Sequence, residues 1–104
     1  ISTAPHTKQR MDALLDWFVW ITKAQAMRLS PVLALPANAD RLTAVCSFIF
    51  DLGAGAYEHS TLRKRINAGD WDRAQIEIRR WIYAGGQPLP GLIRRRQAES
   101  ELLA

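Results

Sequence analysis

A single cysteine, Cys46, stands in the whole chain. No disulfide can close within it, and no cysteine-based zinc site can be assembled from it alone. The two histidines, His6 and His59, have no spaced acidic cluster beside them, so no metal or other cofactor is expected. Long apolar runs are also missing. The longest, Ala13 to Ile21, is interrupted by Asp16 and is about half of what a bilayer-spanning helix needs. With six glycines, five prolines and 48% hydrophobic residues in 104, neither a low-complexity chain nor a disordered one fits. The first residues, Ile-Ser-Thr-Ala-Pro-His, lack an initiator methionine, a basic region and a signal core. The chain is therefore expected to start after processing or inside a longer protein.

What is present is one small domain's worth of core-forming residues and an uneven charge. Residues 1–60 carry five basic and five acidic groups, whereas residues 61–104 carry nine and five, so the whole excess of +4 lies in the last part. Such an excess suits a polyanionic partner: nucleic acid, anionic lipid or bacterial cell wall.

No segment alternates with period two over four or more residues, so no strand is expected. Apolar residues at Met11, Leu14, Leu15, Phe18 and Ile21 follow helical spacing, and Trp17, Val19 and Trp20 make a second face apolar. This predicts a helix over about residues 7–29, buried on two sides and stopped at Ser30-Pro31. A second stripe, Leu42, Val45, Cys46, Ile49 and Phe50, ends at Gly53 and Gly55, read as a stop and a loop. Ser60 is placed to cap a short helix to Asn67, and Asp70 to cap one through Ala84 before Gly85-Gly86. Pro90 opens a last helix. The fold class is all-α, a compact bundle of about five helices.

Candidate chemistry is sparse. Asp70 and Asp72 flank Trp71 at a helix start, where capping outweighs catalysis. Glu99 and Glu101 lie among Arg94, Arg95 and Arg96, where charge balance along a solvated face is the simpler explanation. Asp16 is the one acid in an apolar setting, and a partner-satisfied or helix-edge aspartate outweighs a functional one. Cys46 reads as a small core hydrophobe, and Gly53-Ala-Gly55 follows a helix, so it is a turn and not a phosphate loop. The helices over 60–67 and 70–84 loosely mimic a helix-turn-helix. Asp70 and Asp72, however, sit at the end that would meet base edges, where phosphates would be repelled.

Five linked motifs carry more. Ser47-Phe-Ile-Phe-Asp-Leu-Gly-Ala-Gly-Ala56, Ser60-Thr-Leu-Arg63, Asn67-Ala-Gly-Asp70, Trp81-Ile-Tyr-Ala-Gly-Gly86 and Leu89-Pro-Gly-Leu-Ile-Arg-Arg-Arg-Gln-Ala-Glu99 resemble, in order and spacing, the phage-type lysozymes, a family of glycoside hydrolases. The resemblance covers residues 42–103. More weakly, Thr7 to Asp16 resembles the family segment that begins just after the catalytic lobe. The family implies a muramidase cutting the β-1,4 bond between N-acetylmuramic acid and N-acetylglucosamine in peptidoglycan. Its catalytic Glu, Asp or Cys, and Thr come from a small N-terminal lobe. Tested against the family's pattern of Glu, an eight-residue gap, Asp or Cys, a five-residue gap and Thr, Glu58 leads to Asn67 and Glu77 to Gly86, while Glu99 and Glu101 run off the end. No catalytic residue is therefore assigned here.

The resemblance implies the large helical lobe, with residues 1–36 as the lobe-linking helix region and 37–104 as the lobe. Phe50 matches the family's cleft-wall phenylalanine, beside the alternative of core packing on the Leu42/Val45/Ile49 stripe. Thr61 matches a small hydroxylated residue that contacts sugar. Glu77 falls where a family member uses Asn, and Asp51 replaces the Asn usual after that phenylalanine. Phe50, Thr61 and Glu77 are the candidate substrate contacts. The implied product belongs to a phage or prophage in a bacterial host, held in the cytoplasm until lysis and acting on the periplasmic wall. Its expected partners are peptidoglycan strands, and either a full-length endolysin or a second copy through the apolar helix, with nucleic acid a distant third. The alternative is a naturally truncated, inactive lysozyme-like binding or regulatory protein.

Overall fold

The computed structural model describes the backbone of residues 4–104 and the side chains of residues 8–104; His6 lies outside the described side chains. Helix α1 runs Ala4–Leu29 and stops where Ser30 leaves helical geometry before Pro31. Two short 3-10 turns, Pro31–Ala34 and Pro36–Asn38, then lead into α2, Ala39–Leu52. Gly53 takes φ +94°, a conformation strained for any other residue, and its N–H closes α2 on Ile49 O at 2.7 Å. It also opens α3, Ala54–Glu58, a short helix where the glycine spacing predicts a loop.

Ser60 and Asp70 behave as their positions predict. The Ser60 hydroxyl accepts from Arg63 N–H at 3.1 Å and opens α4, Thr61–Asn67. The Asp70 carboxylate accepts from Arg73 N–H at 3.2 Å and opens α5. Helix α5, Trp71–Ile78, is shorter than the stripe suggests. Trp81 and Ile82 continue its apolar pattern outside the helix, in a segment leading to a small hairpin of β1, Tyr83–Ala84, and β2, Gln87–Pro88. Gly85 and Gly86 both have positive φ there, as a two-residue hairpin turn demands. The expectation of no strand is thus corrected by a single pair too short to show alternation. Helix α6, Pro90–Leu103, begins on its proline.

The molecule is an all-α bundle of six helices among the described residues, with α2 packed between α1 and α6. Phe48, Tyr57, Leu62, Ile66, Ile78 and Leu103 are fully buried. Ala26, Leu29 and Leu33 belong to the same cluster, so residues on both sides of position 36 pack into one core. Ser30 and Tyr57 share a buried hydrogen bond at 2.6 Å. Burial, against that bond and the nearby Arg63 charge, pushes the Tyr57 hydroxyl up to about 12. At the opposite end Arg41 stacks 4.1 Å over Trp71, and donates to Asn38 Oδ1 at 2.7 Å, Leu103 O at 3.0 Å and Ala104 O at 3.3 Å. These bonds satisfy carbonyls that a helix C-terminus leaves open.

The two-sided burial of α1 is the main correction. From Met11 to Trp20 every residue is exposed, with Trp20 at 72% and Trp17 at 56%. Only the second half of the helix, through Thr22, Ala26 and Leu29, enters the core.

Candidate functional site

Where α1 leaves the core, it crosses α2 and opens two grooves that share one wall, Phe50. Its side chain follows Thr43, Cys46 and Ser47 at helical i, i+3, i+4, i+7 spacing, so these four lie on one face of α2. The first groove, about 500 Å³, is lined by Leu15, Phe18 and Ile21 of α1 and by Ile49, Phe50 and Gly53 at the end of α2. Phe18 and Phe50 meet edge to face at 6.3 Å. The second, about 390 Å³, lies between Val19 and Lys23 of α1 and the Thr43, Cys46, Ser47, Phe50 face, with Arg95 of α6 at its rim.

Phe50 is 56% exposed, which decides against simple core packing. Cys46 is half-buried in the second groove and not in the core proper. Burial pushes its thiol up, against the nearby Lys23 charge, so it is not an activated nucleophile. Thr61 is exposed at the first turn of α4, and Glu77 is partly buried on α5 with its carboxylate 3.8 Å from Arg80. Neither lines the grooves at Phe50. Asp16 is exposed on α1. Among the described residues no group of three or more His, Cys, Asp or Glu is gathered as a metal site, and no helix is long and apolar enough to cross a membrane.

Behind the second groove sits a charged cluster that sequence spacing places on a solvated face. Arg96 is fully buried and Glu99 is 2% exposed. Arg96 Nη2 donates to Asp51 Oδ2 and to Glu99 Oε2, each at 3.0 Å. Its Nε lies 2.8 Å from Glu99 Oε1 without hydrogen-bond alignment, and its Nη1 meets no polar partner. The guanidinium sits 5.4 Å over the Phe48 ring, which supplies part of the missing stabilisation. Ser47 donates to Glu99 Oε2 at 2.6 Å, and Arg95 approaches Asp51 at 3.7 Å. Burial pushes the Glu99 carboxyl up; the Ser47 bond, Arg96 and Arg95 pull against it.

A buried glutamate with a raised pKa invites comparison with a general acid. Glu99 does not fit that role. Its Oε2 accepts from Ser47 and Arg96, its Oε1 is held against the Arg96 guanidinium at 2.8 Å without a hydrogen bond, and it lines neither groove. No Asp or Glu lines either groove, whereas hydrolysis of a glycoside calls for two carboxylates flanking the bond. The arrangement offers an aromatic wall, hydroxyls and a basic rim, which is binding chemistry. The signal for the second groove was present in the 43, 46, 47, 50 spacing. That for the buried pair lies in the 3–4 spacing of Leu92, Arg96, Glu99 and Leu103, where charges occupy two places of an otherwise apolar stripe.

Comparison with known proteins agrees with the motif pattern. The family model for phage lysozyme matches residues 2–99. An endolysin of Acyrthosiphon pisum secondary endosymbiont phage 1 is 41% identical over 71% of this chain and 53% of its own length. SAR-endolysins of Enterobacteria phages PA-2 and P21 are each 36% identical over 93% of this chain and 57% of their own. The chain thus spans about half the length of the curated relatives it matches. With nearly its whole length covered by one family model and its five motifs seated on α2 to α6, the chain belongs to the phage lysozyme family.

Proposed function

We propose that this chain is the helical, substrate-cradling part of a peptidoglycan-hydrolysing phage or prophage endolysin. In this reading residues 37–104 form the lobe and residues 1–36 the linking region. The observation that carries it is the exposed Phe50 wall between two grooves that hold no carboxylate, in a chain of this family. An aromatic face stacks against the apolar face of a sugar ring, and the hydroxyl oxygens of Thr43 and Ser47, whose protons go to Ala39 O and Glu99, can accept from hydroxyls at its rim. Thr61 and Glu77 are proposed as further sugar contacts lying beyond these grooves. The general acid and base that break the glycosidic bond are assigned to residues other than these.

The basic excess of residues 61–104 suits wall polyanions, although much of it is engaged within the fold. Arg63 donates to Leu29 O and Glu58 O, Arg79 to Ser100, and Arg96 to the buried cluster. The proposed setting is a bacterial host, with the endolysin held in the cytoplasm until lysis and acting on the periplasmic wall.

The test uses the 104-residue chain on purified peptidoglycan. It is expected to sediment with the wall weakly and to leave a peptidoglycan zymogram uncleared. Phe50→Ala should lower retention by roughly 3- to 10-fold, the worth of one aromatic contact. Clearing by the pure chain, or retention indifferent to Phe50→Ala, would refute the reading.

A further inference from the structure

We propose that the second groove is a carboxylate site, which holds an acidic group of a peptide stem branching from the wall glycan. The inference rests on the glycan-cradling role proposed above and names which part of the substrate each groove takes.

The two grooves share Phe50 and differ in charge. No charged side chain lines the first. The second is lined by two cations, Lys23 of α1 and Arg95 of α6, and by no carboxylate. Lys23 is exposed and pairs with no acid among the described residues. Burial pushes the Cys46 thiol up and the Lys23 charge pulls against it, so the ammonium stands close to the groove's Cys46 wall. Arg95 is half-exposed and lies 3.7 Å from Asp51 and 4.0 Å from Glu99. Both of those carboxylates are held more closely by Arg96, at 3.0 and 2.8 Å. Three cations thus face two anions, which leaves one positive charge in excess. The anions lie behind the groove and the excess lies in it.

Charge complementarity selects the occupant. A carboxylate accepts from an ammonium and a guanidinium at once, and Val19 and Phe50 offer its carbon skeleton an apolar wall. A peptidoglycan strand is a chain of sugars with short, acid-bearing peptides branching from it. An uncharged groove and a cationic one, divided by a single aromatic ring, match a sugar and its branch. A sugar lying on the first-groove side of Phe50 leads its stem toward Lys23 and Arg95.

Retention of the 104-residue chain is compared on purified peptidoglycan and on the same wall after an amidase has cut off its peptide stems, which leaves the sugar chain and its lactyl carboxylates. Stem removal should lower retention by roughly 3- to 10-fold, the effect of two partly exposed ion pairs. Lys23→Gln combined with Arg95→Gln should lower it by a like factor on the intact wall and change nothing on the stripped one. Both side chains are exposed, so helicity by circular dichroism should stay as in the parent. Lys64→Gln combined with Arg94→Gln removes the same charge from exposed positions outside the groove and should leave retention within about 2-fold. An equal loss from that second pair, equal retention on the two walls, or indifference to the Lys23 and Arg95 pair would each overturn the proposal. Retention that falls with Phe50→Ala yet ignores the Lys23 and Arg95 pair overturns this inference alone, whereas indifference to Phe50→Ala overturns the sugar reading on which it rests.

Discussion

Residues 11–20 of α1 and residues 94–100 of α6 exchange the roles their composition suggests. The first stretch holds Leu, Trp, Phe and Val, yet all of it is exposed; the second holds three arginines and a glutamate, yet Arg96, Glu99 and Ser100 are buried. Both are helical, so local propensity does not separate them. Neighbours do: α6 packs against α2, while the 11–20 turns of α1, apart from Phe18 against Phe50, have no element covering them among the described residues. Burial is a property of where a residue is carried, and only afterwards of what it is.

The sharpest way to break this comparison is to remove the charge that α6 hides. Arg96→Ala strips the buried Glu99 of its close counter-ion, leaving only the half-exposed Arg95 at 4.0 Å, and should cost about 3–5 kcal/mol in urea unfolding; a loss below about 1 kcal/mol would mean the cluster is open to water. The next test compares one residue type on one helix. Leu29, 3% exposed, and Leu15, 52% exposed, are both on α1. Leu29→Ala should cost about 2–5 kcal/mol and Leu15→Ala under about 1 kcal/mol, and equal losses would show that the first half of α1 is packed in solution.

The smallest effect is read against pH. Burial raises the folded-state pKa of Glu99 above its ordinary value of 4.5, so the folded state holds this proton more tightly than the unfolded state. The group's contribution is fully present below that ordinary value and is lost as pH rises through the folded pKa. Glu99→Gln should remove this slope, so that its stability relative to the parent improves from pH 4 toward neutrality. Identical slopes in chain and variant would show that Glu99 does not titrate differently on folding.

Much of the frame was legible in the sequence because its signals are local. Ser60, Asp70 and Pro90 mark helix starts through caps and a missing N–H, none of which needs a distant partner; the Gly85-Gly86 pair, expected to end a helix, turns a hairpin instead. The helix that carries Phe50 follows from period, but the stripe of Leu42, Val45, Cys46, Ile49 and Phe50 joins that residue to the core side, whereas it stands with Thr43, Cys46 and Ser47 on the groove side. Glu99 was not legible as a buried group, because an i, i+3 pair with Arg96 looks the same on a wet face as on a dry one. The exposure of residues 11–20 was hidden for the converse reason: an apolar helix predicts a partner but not which chain provides it. Helix α5 ended early since Trp81 reaches the core from outside the helix, its ring 5.2 Å from Phe48, with no need to continue the helical path.

The Arg41 side chain joins Asn38, at the start of α2, to the carbonyls of Leu103 and Ala104. The two ends of the 38–104 segment are thereby fastened into a ring by one residue, 62 positions from Leu103. Amide hydrogens in the last turn of α6 should therefore exchange with solvent as slowly as those of interior helices, although a final turn ordinarily frays.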